Sequence, residues 1–139
     1  MGISLVSSTM SPAPNLVELY KGQDKDIELI LTETAFDVDK NPIDVPFDLT
    51  GCTLYFQVRS SGESTIIVIG KKSTDITQIL IETPPVCGKA IIHISHADTE
   101  YLEPGKYLFD VWVKRVDGKR YPVVELSEFV IKLPITIID

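Results

Sequence analysis

The sequence predicts an all-β protein, an immunoglobulin-like two-sheet antiparallel sandwich of about seven to eight strands with an extended N-terminal arm. Residues 51–59 alternate strictly between apolar and polar side chains, the two-residue period of a strand with one buried face. Further strand-like segments recur between turn signals, and none of the longer stretches has a helical period. A corner at Pro104-Gly105 then directly precedes a strand that opens with Tyr107.

The first three predicted strands lie before residue 60. Leu16–Tyr20 ends at the turn Lys21–Asp24, and Asp26–Thr34 follows with every second residue apolar over its first half. A loop is predicted over residues 35–50. In the third strand, residues 51–59, the inward-facing side chains are expected to be Cys52, Leu54, Phe56 and Val58.

The second half of the chain repeats the same signals. Segments rich in β-branched residues, bounded by serine, glycine or proline, predict strands over residues 65–69, 76–82 and 89–95. Residues 96–103 are expected to cross between the sheets with one helical turn. The strands 106–115 and 121–133 are joined by a tight hairpin at Asp117-Gly118, and the prolines that flank the last strand predict an edge position.

The corner at Pro104, Gly105 and Tyr107 carries the immunoglobulin-like assignment. Proline cannot donate a ladder hydrogen bond and glycine accepts a positive φ, so this pair favours a sharp turn before the strand. In immunoglobulin-like sandwiches, a tyrosine at the start of the sixth strand packs its ring inward and bonds its hydroxyl to the backbone upstream. We therefore expect Tyr107 to form a structural corner.

Length and composition suit one folded domain. With 139 residues, 44% of them hydrophobic, the chain can bury a substantial core. We expect the sandwich to occupy residues 15–134, between an extended arm at 1–14 and a tail at 135–139.

Charge and hydropathy exclude two classes of partner. There are 13 basic residues against 20 acidic ones, for a net charge of −7, and the basic residues are scattered, which argues against nucleic acid. No apolar run approaches the roughly 18 residues that a membrane-spanning helix needs. Residues 1–14 carry no charge and lack the basic start of a signal peptide, so we expect a protein that is not exported.

Two cysteines, Cys52 and Cys87, have no zinc-type spacing. Synthesis in a reducing cytoplasm favours free thiols, although a single bridge between them stays open at this point.

Candidates for chemistry are weak, and we expect no catalytic residues, no cofactor and no metal. Asp37–Asn41 has oxygen ligands at alternate positions as in a calcium loop, but Pro42 and Asp48 stand where that loop needs glycine and glutamate. A solvated turn explains the segment. His93 and His96 are expected at a strand end and in a helical turn, with different orientations.

Six segments stand in an order and spacing that together are moderately specific: Lys21–Asp24, Lys40–Asp44, Asp48–Leu54, Asp98-Thr99, Leu102–Tyr107 and Val116–Lys119. Together they resemble the immunoglobulin-like virion proteins of tailed bacteriophages, including the N-terminal domains of baseplate upper proteins. The resemblance spans roughly residues 20–135 and differs by an insertion at Val45-Pro46-Phe47. It implies a non-enzymatic virion subunit, made in the host cytoplasm, that works as a tail or baseplate adaptor or as a capsid decoration or head-fibre base. Its partners are expected to be other virion proteins, with further copies of the chain in the particle.

Trp112, the only tryptophan, is expected on the outer surface of its strand, where an aromatic side chain is a common anchor for protein contacts. The alternatives are that the alternation slips, so that Trp112 does not face outward, or that the N-terminal arm covers its ring. The uncharged arm and the apolar tail are expected to order on a neighbouring subunit, or else to be plain disordered segments. The predicted interface residues are Ile3, Leu5, Val6, Tyr55, Trp112, Ile135, Ile137 and Ile138.

A second function also fits these aromatic residues. Tyr55, Trp112 and Tyr121 could together form a platform for sugar rings, as in a carbohydrate-binding module that contacts the host surface. That hypothesis requires all three rings to lie on one exposed face.

Overall fold

The computed structural model of the chain describes residues 5–11, 16–61 and 63–136. Two sheets pack face to face, and a short helix, α1, crosses between them at His96–Thr99. A 3₁₀ turn lies at Pro85–Cys87. The ten strands in the described part of the chain are β1 Leu5–Ser11, β2 Leu16–Tyr20, β3 Lys25–Phe36, β4 Pro42–Pro46, β5 Thr53–Arg59, β6 Ile67–Lys72, β7 Ile79–Ile81, β8 Lys89–Ile94, β9 Gly105–Lys114 and β10 Arg120–Lys132.

The first sheet has the order β1-β3-β8-β7, with all pairs antiparallel. The long strand β3 divides one of its edges between two partners. Residues 25–30 pair with β8, and residues 32–36 pair with β4.

The second sheet has the order β2-β10-β9-β5-β6, antiparallel except for the parallel pair β2 and β10. The two strand orders match the immunoglobulin arrangement. In that arrangement the first, second, fifth and fourth strands form one sheet, and β1, β3, β8 and β7 take these places here. The remaining immunoglobulin strands form the other sheet. The predicted immunoglobulin-like sandwich is confirmed. The extra strands relative to the prediction are β1 and β4.

The predicted edge position of the last strand is wrong for its second half. Residues 128–132 lie between β9 and the parallel strand β2. The flanking prolines do not prevent this, because Pro122 lies outside the segment that pairs with β2 and Pro134 lies beyond the strand.

The core is centred on three phenylalanines from the second sheet. Phe56, Phe109 and Phe129 are fully buried, and their ring centroids lie 5.5 to 6.3 Å apart. Burial of each such ring stabilises the fold by about 1.5–3 kcal/mol. Phe109 stands two residues after Tyr107, where antibody domains carry the second cysteine of their inter-sheet disulfide. In this chain that position is therefore part of the aromatic cluster, and Cys52 and Cys87 are free thiols.

The loop predicted over residues 35–50 contains strand β4 and two core residues, Phe47 and Leu49. The turn that joins β3 to β4 is closed by Asp37, whose carboxylate accepts hydrogen bonds from the backbone N–H groups of Asp39 and Asn41 at 2.9 Å each. Phe47, within the insertion, is fully buried, and its N–H donates to the carbonyl of Leu31 at 3.0 Å. The insertion therefore contributes to the core.

The structural corner is confirmed. The Tyr107 hydroxyl donates to the carbonyl of Glu103 at 2.7 Å, while the ring packs against the core, and Gly105 has a φ of 149°. The preceding helix α1 begins at a capping box, in which the Asp98 carboxylate accepts from the N–H of Ser95 at 2.7 Å. These local bonds set the direction in which β9 enters the second sheet.

Candidate interaction face on the second sheet

Trp112 lies on the outer face of the second sheet. Its neighbours along β9, Val111 and Val113, are fully buried, whereas the Trp112 side chain is 40% exposed. Tyr55 stands directly opposite it on β5. Directly opposed residues share one face of a sheet, so these two aromatic side chains form an adjacent pair at the centre of the face. The predicted outward position of Trp112 is confirmed.

Polar contacts hold the tryptophan ring in place. The indole N–H of Trp112 donates to the carboxylate of Asp110 at 3.0 Å. Asp110 is opposite Gln57 on β5, and the Gln57 side-chain oxygen accepts from Arg59 at 3.1 Å. Arg59 also donates to the carbonyl of Ser64 at 3.2 Å. The face is therefore a polar network with two rings in its middle.

The same side chains line a groove of about 520 Å³. Lys114 and Arg120 stand at one end, directly opposite each other on β9 and β10. Arg59 lies toward the other end, two residues beyond Gln57 on β5. Lys72 borders the groove from β6, with its ammonium nitrogen 5.8 Å from the centroid of the Tyr55 ring.

The charge of this face is opposite to that of the chain. Four cationic side chains, those of Arg59, Lys72, Lys114 and Arg120, surround one carboxylate, although the whole chain carries −7. Within residues 16–61 and 63–136 the ion pairs involve other residues, so none of these four cations has a carboxylate partner there. This face, defined by Tyr55, Trp112 and the four cations, is called the basic aromatic face below.

The three-ring platform proposed for sugar binding is not formed. Tyr121 pairs with Val113, which faces the core, and its ring packs against the core cluster. A register shift between Pro122 and Val124 changes the phase of the alternation along β10. Tyr121 therefore lies on the opposite side of the sheet from Trp112, and only two of the three rings share the outer face.

The remaining predicted interface residues lie at the two ends of the chain. Ile135 is fully exposed just after β10. Leu5 and Val6 belong to β1, which pairs with Thr34 and Glu33 of β3 in the same chain. Ile3, Ile137 and Ile138 lie outside the described residues.

The other candidates for chemistry have local structural contacts. His93 bonds to Asp26 at 2.7 Å, and His96 bonds to Asp24 at 3.0 Å. The backbone N–H of His96 also donates to Asp24, which, with the side-chain contact, lowers the pKa of that carboxyl. In the part of the chain that the structure describes, no group of three or more metal-ligating side chains occurs. Likewise, no helix among these residues combines the length and apolar character needed to cross a membrane.

Sequence patterns identified the two aromatic residues but missed the charges around them. Gln57 and Arg59 share the outward phase of Tyr55, and Asp110 and Lys114 share that of Trp112, so the alternation already indicated their side of the sheet. It could not show that β5 and β9 are neighbours in this register. Arg120 had no signal, because its position depends on the hairpin pairing of β10.

Comparison with known proteins finds similarity among solved structures. No family model and no curated protein matches the chain. Among solved structures, the chain is similar to that of murine CRIg, with 15% identity and a TM-score of 0.44, over 92% of this chain and 98% of that chain. The order and pairing of the strands place the chain in the class of immunoglobulin-like β-sandwiches.

Proposed function

We propose that the protein is a non-enzymatic structural subunit of a tailed-phage virion that docks onto other virion subunits. The sequence resemblance over roughly residues 20–135 supports a role as tail or baseplate adaptor, or as capsid decoration or head-fibre base. In this proposal the protein acts within the particle, together with further copies of itself.

The single observation that carries the docking role is the aromatic pair on the outer face of the second sheet, formed by the exposed Trp112 and the half-buried Tyr55. Tryptophan, tyrosine and arginine are the residue types most enriched where interfaces gain their binding energy. Arg59 and Arg120 add the third type to the same face. Burial of a large aromatic ring against a partner removes apolar surface from water at little conformational cost.

The C-terminal segment offers a second contact. Leu133 is 71% exposed, and Ile135 has no cover from the described residues. Both follow the end of β10, where an apolar strand end can lie on a neighbouring subunit.

We assign no catalytic role to the titratable pairs. The two aspartate–histidine contacts lie at the surface and join the start of β3 to β8 and α1. Lys71 and Asp98 form an ion pair at 2.7 Å that joins β6 to the cap of α1. Each pair connects neighbouring elements, which is a structural function.

Purified tailed particles from cells that make the chain test this proposal. Mass spectrometry is expected to find the chain in the particles, and cryo-electron microscopy is expected to place the basic aromatic face against another subunit. Trp112→Ser should reduce incorporation. Tyr101→Ser is the matched control, because Tyr101 is 88% exposed but lies outside this face.

Absence of the chain from particles would refute the virion role. If the isolated protein then bound glycans of the host surface, the carbohydrate-binding alternative would replace it.

A further inference from the structure

We propose that the basic aromatic face binds an acidic segment of a partner polypeptide. Carboxylates of that segment would lie on Lys114, Arg120 and Arg59, and an apolar side chain would cover Trp112 and Tyr55. This inference rests on the proposed docking function and deepens it by naming the chemistry of the partner.

Two cations of the face repel each other without compensation. Lys114 and Arg120 are directly opposite each other across β9 and β10, and like charges in that position destabilise a sheet. Neither has a carboxylate partner among the described residues. An anion from a partner would remove this cost, so the arrangement favours the bound state over the free one.

The charge of the face is complementary to that of an acidic segment. The face is positive on a chain of net charge −7, so the attraction for an acidic segment is local to the groove. Asp110, the carboxylate of the groove, is already bonded to the Trp112 indole. Among the described residues no carboxylate pairs with any of the four cations, although Arg59 also bonds to Gln57 and Ser64. Their charge can therefore attract an anionic ligand, and salt should screen the attraction with a Debye length of about 10 Å at 0.1 M.

A polypeptide fits this site better than other polyanions. The positive area is short: Asp117 of the β9–β10 turn borders one end, and at the other end Glu128 of β10 is already paired with Lys106 at 3.2 Å. A nucleic-acid backbone would therefore meet a carboxylate at one end and a neutralised ion pair at the other. For an anionic glycan, the face lacks the third ring of a stacking platform, because Tyr121 faces the core. A peptide can combine a few carboxylates with one apolar side chain. These groups complement the cations and the two aromatic rings of the face.

The single tryptophan makes the test direct. Fluorescence of Trp112 in the full chain reports on this groove alone. The probe is an acetylated and amidated peptide of repeated Glu-Leu-Glu-Gly units, and its control has glutamine in place of each glutamate. We expect a saturable change in fluorescence with the acidic peptide, and an affinity that falls as salt rises.

Matched variants locate the binding. Arg120→Gln should weaken binding about threefold to fivefold, the effect of losing one exposed charge contact. Lys89→Gln is the control, because Lys89 is an exposed lysine of the first sheet that lacks an ion-pair partner among the described residues. Its affinity for the peptide should equal that of the unmodified chain.

Three outcomes overturn the inference: equal binding of the glutamine peptide, no binding of either peptide, or tighter binding of a thymidine oligonucleotide or a hyaluronan oligosaccharide. Incorporation into particles is measured separately. Incorporation without acidic-peptide binding overturns this inference and leaves the proposed function intact. Binding of the acidic peptide without incorporation overturns the virion role and leaves the acidic-segment specificity supported.

Discussion

Replacement of Tyr107 by phenylalanine removes one hydroxyl from the corner and leaves the ring in place. The hydroxyl donates to the Glu103 carbonyl at 2.7 Å, and the side chain is partly buried. A neutral hydrogen bond of this kind contributes about 1 kcal/mol, and water can reach the exposed Glu103 after the change. For a domain of this size we expect the melting temperature to fall by roughly 3 °C.

Differential scanning calorimetry at neutral pH measures this loss. The matched control is Tyr101→Phe, because Tyr101 is an exposed tyrosine whose hydroxyl makes no hydrogen bond within the described residues. Its melting temperature should equal that of the unmodified protein. Equal melting of Tyr107→Phe and the unmodified protein would refute the corner argument.

Alkaline pH provides an independent check on the same residue. Burial, together with the nearby Glu103 charge, raises the pKa of Tyr107 in the folded state. The neutral hydroxyl therefore stabilises the fold at pH values below the pKa of tyrosine in the unfolded chain, which is about 10. This contribution is lost as pH rises through the pKa of Tyr107 in the folded state. Tyr107→Phe should lose less stability above pH 10 than the unmodified protein does.

Two further predictions concern other turns. Gly88→Ala should destabilise the fold by about 3 kcal/mol or more, since Gly88 has a φ of 70° and an added Cβ would lie 2.5 Å from the Leu31 carbonyl oxygen. Thr50 donates two hydrogen bonds that lower the pKa of Asp48. The charged carboxylate of Asp48 therefore stabilises the fold above about pH 4, and this contribution is lost as pH falls through its pKa in the folded state. Asp48→Asn should therefore weaken the acid dependence of stability, measured by urea denaturation at pH 3 and pH 6.

A specific result would contradict each of these two predictions. Gly22→Ala is the control for Gly88, because Gly22 has a φ of 78° but no atom within 4 Å of an added Cβ, and it should cost only about 1 kcal/mol. Equal losses for the two glycines would contradict the close-approach argument. An unchanged difference between pH 3 and pH 6 in Asp48→Asn would contradict the role of that carboxylate.

Part of the candidate site could be predicted from the sequence. The alternation around Tyr55 and Trp112 gave their outward orientation, because the side chains of a strand alternate between faces whichever strands are its neighbours. The groove could not be predicted. It needs β5 and β9 in one register and β10 beside them, and these pairings join residues far apart in the chain.

The sequence by itself determined the β class, the hairpin at Asp117-Gly118 and the corner at Tyr107, since each depends on local alternation or on the conformational limits of glycine and proline. Only the tertiary structure decided that Phe47 belongs to the core and that Tyr121 faces inward. Burial of Phe47 depends on β4 pairing with β3, and the orientation of Tyr121 depends on a register shift against β9. Pairing and register are set by contacts between distant segments, and these also bring the four cations together on one face.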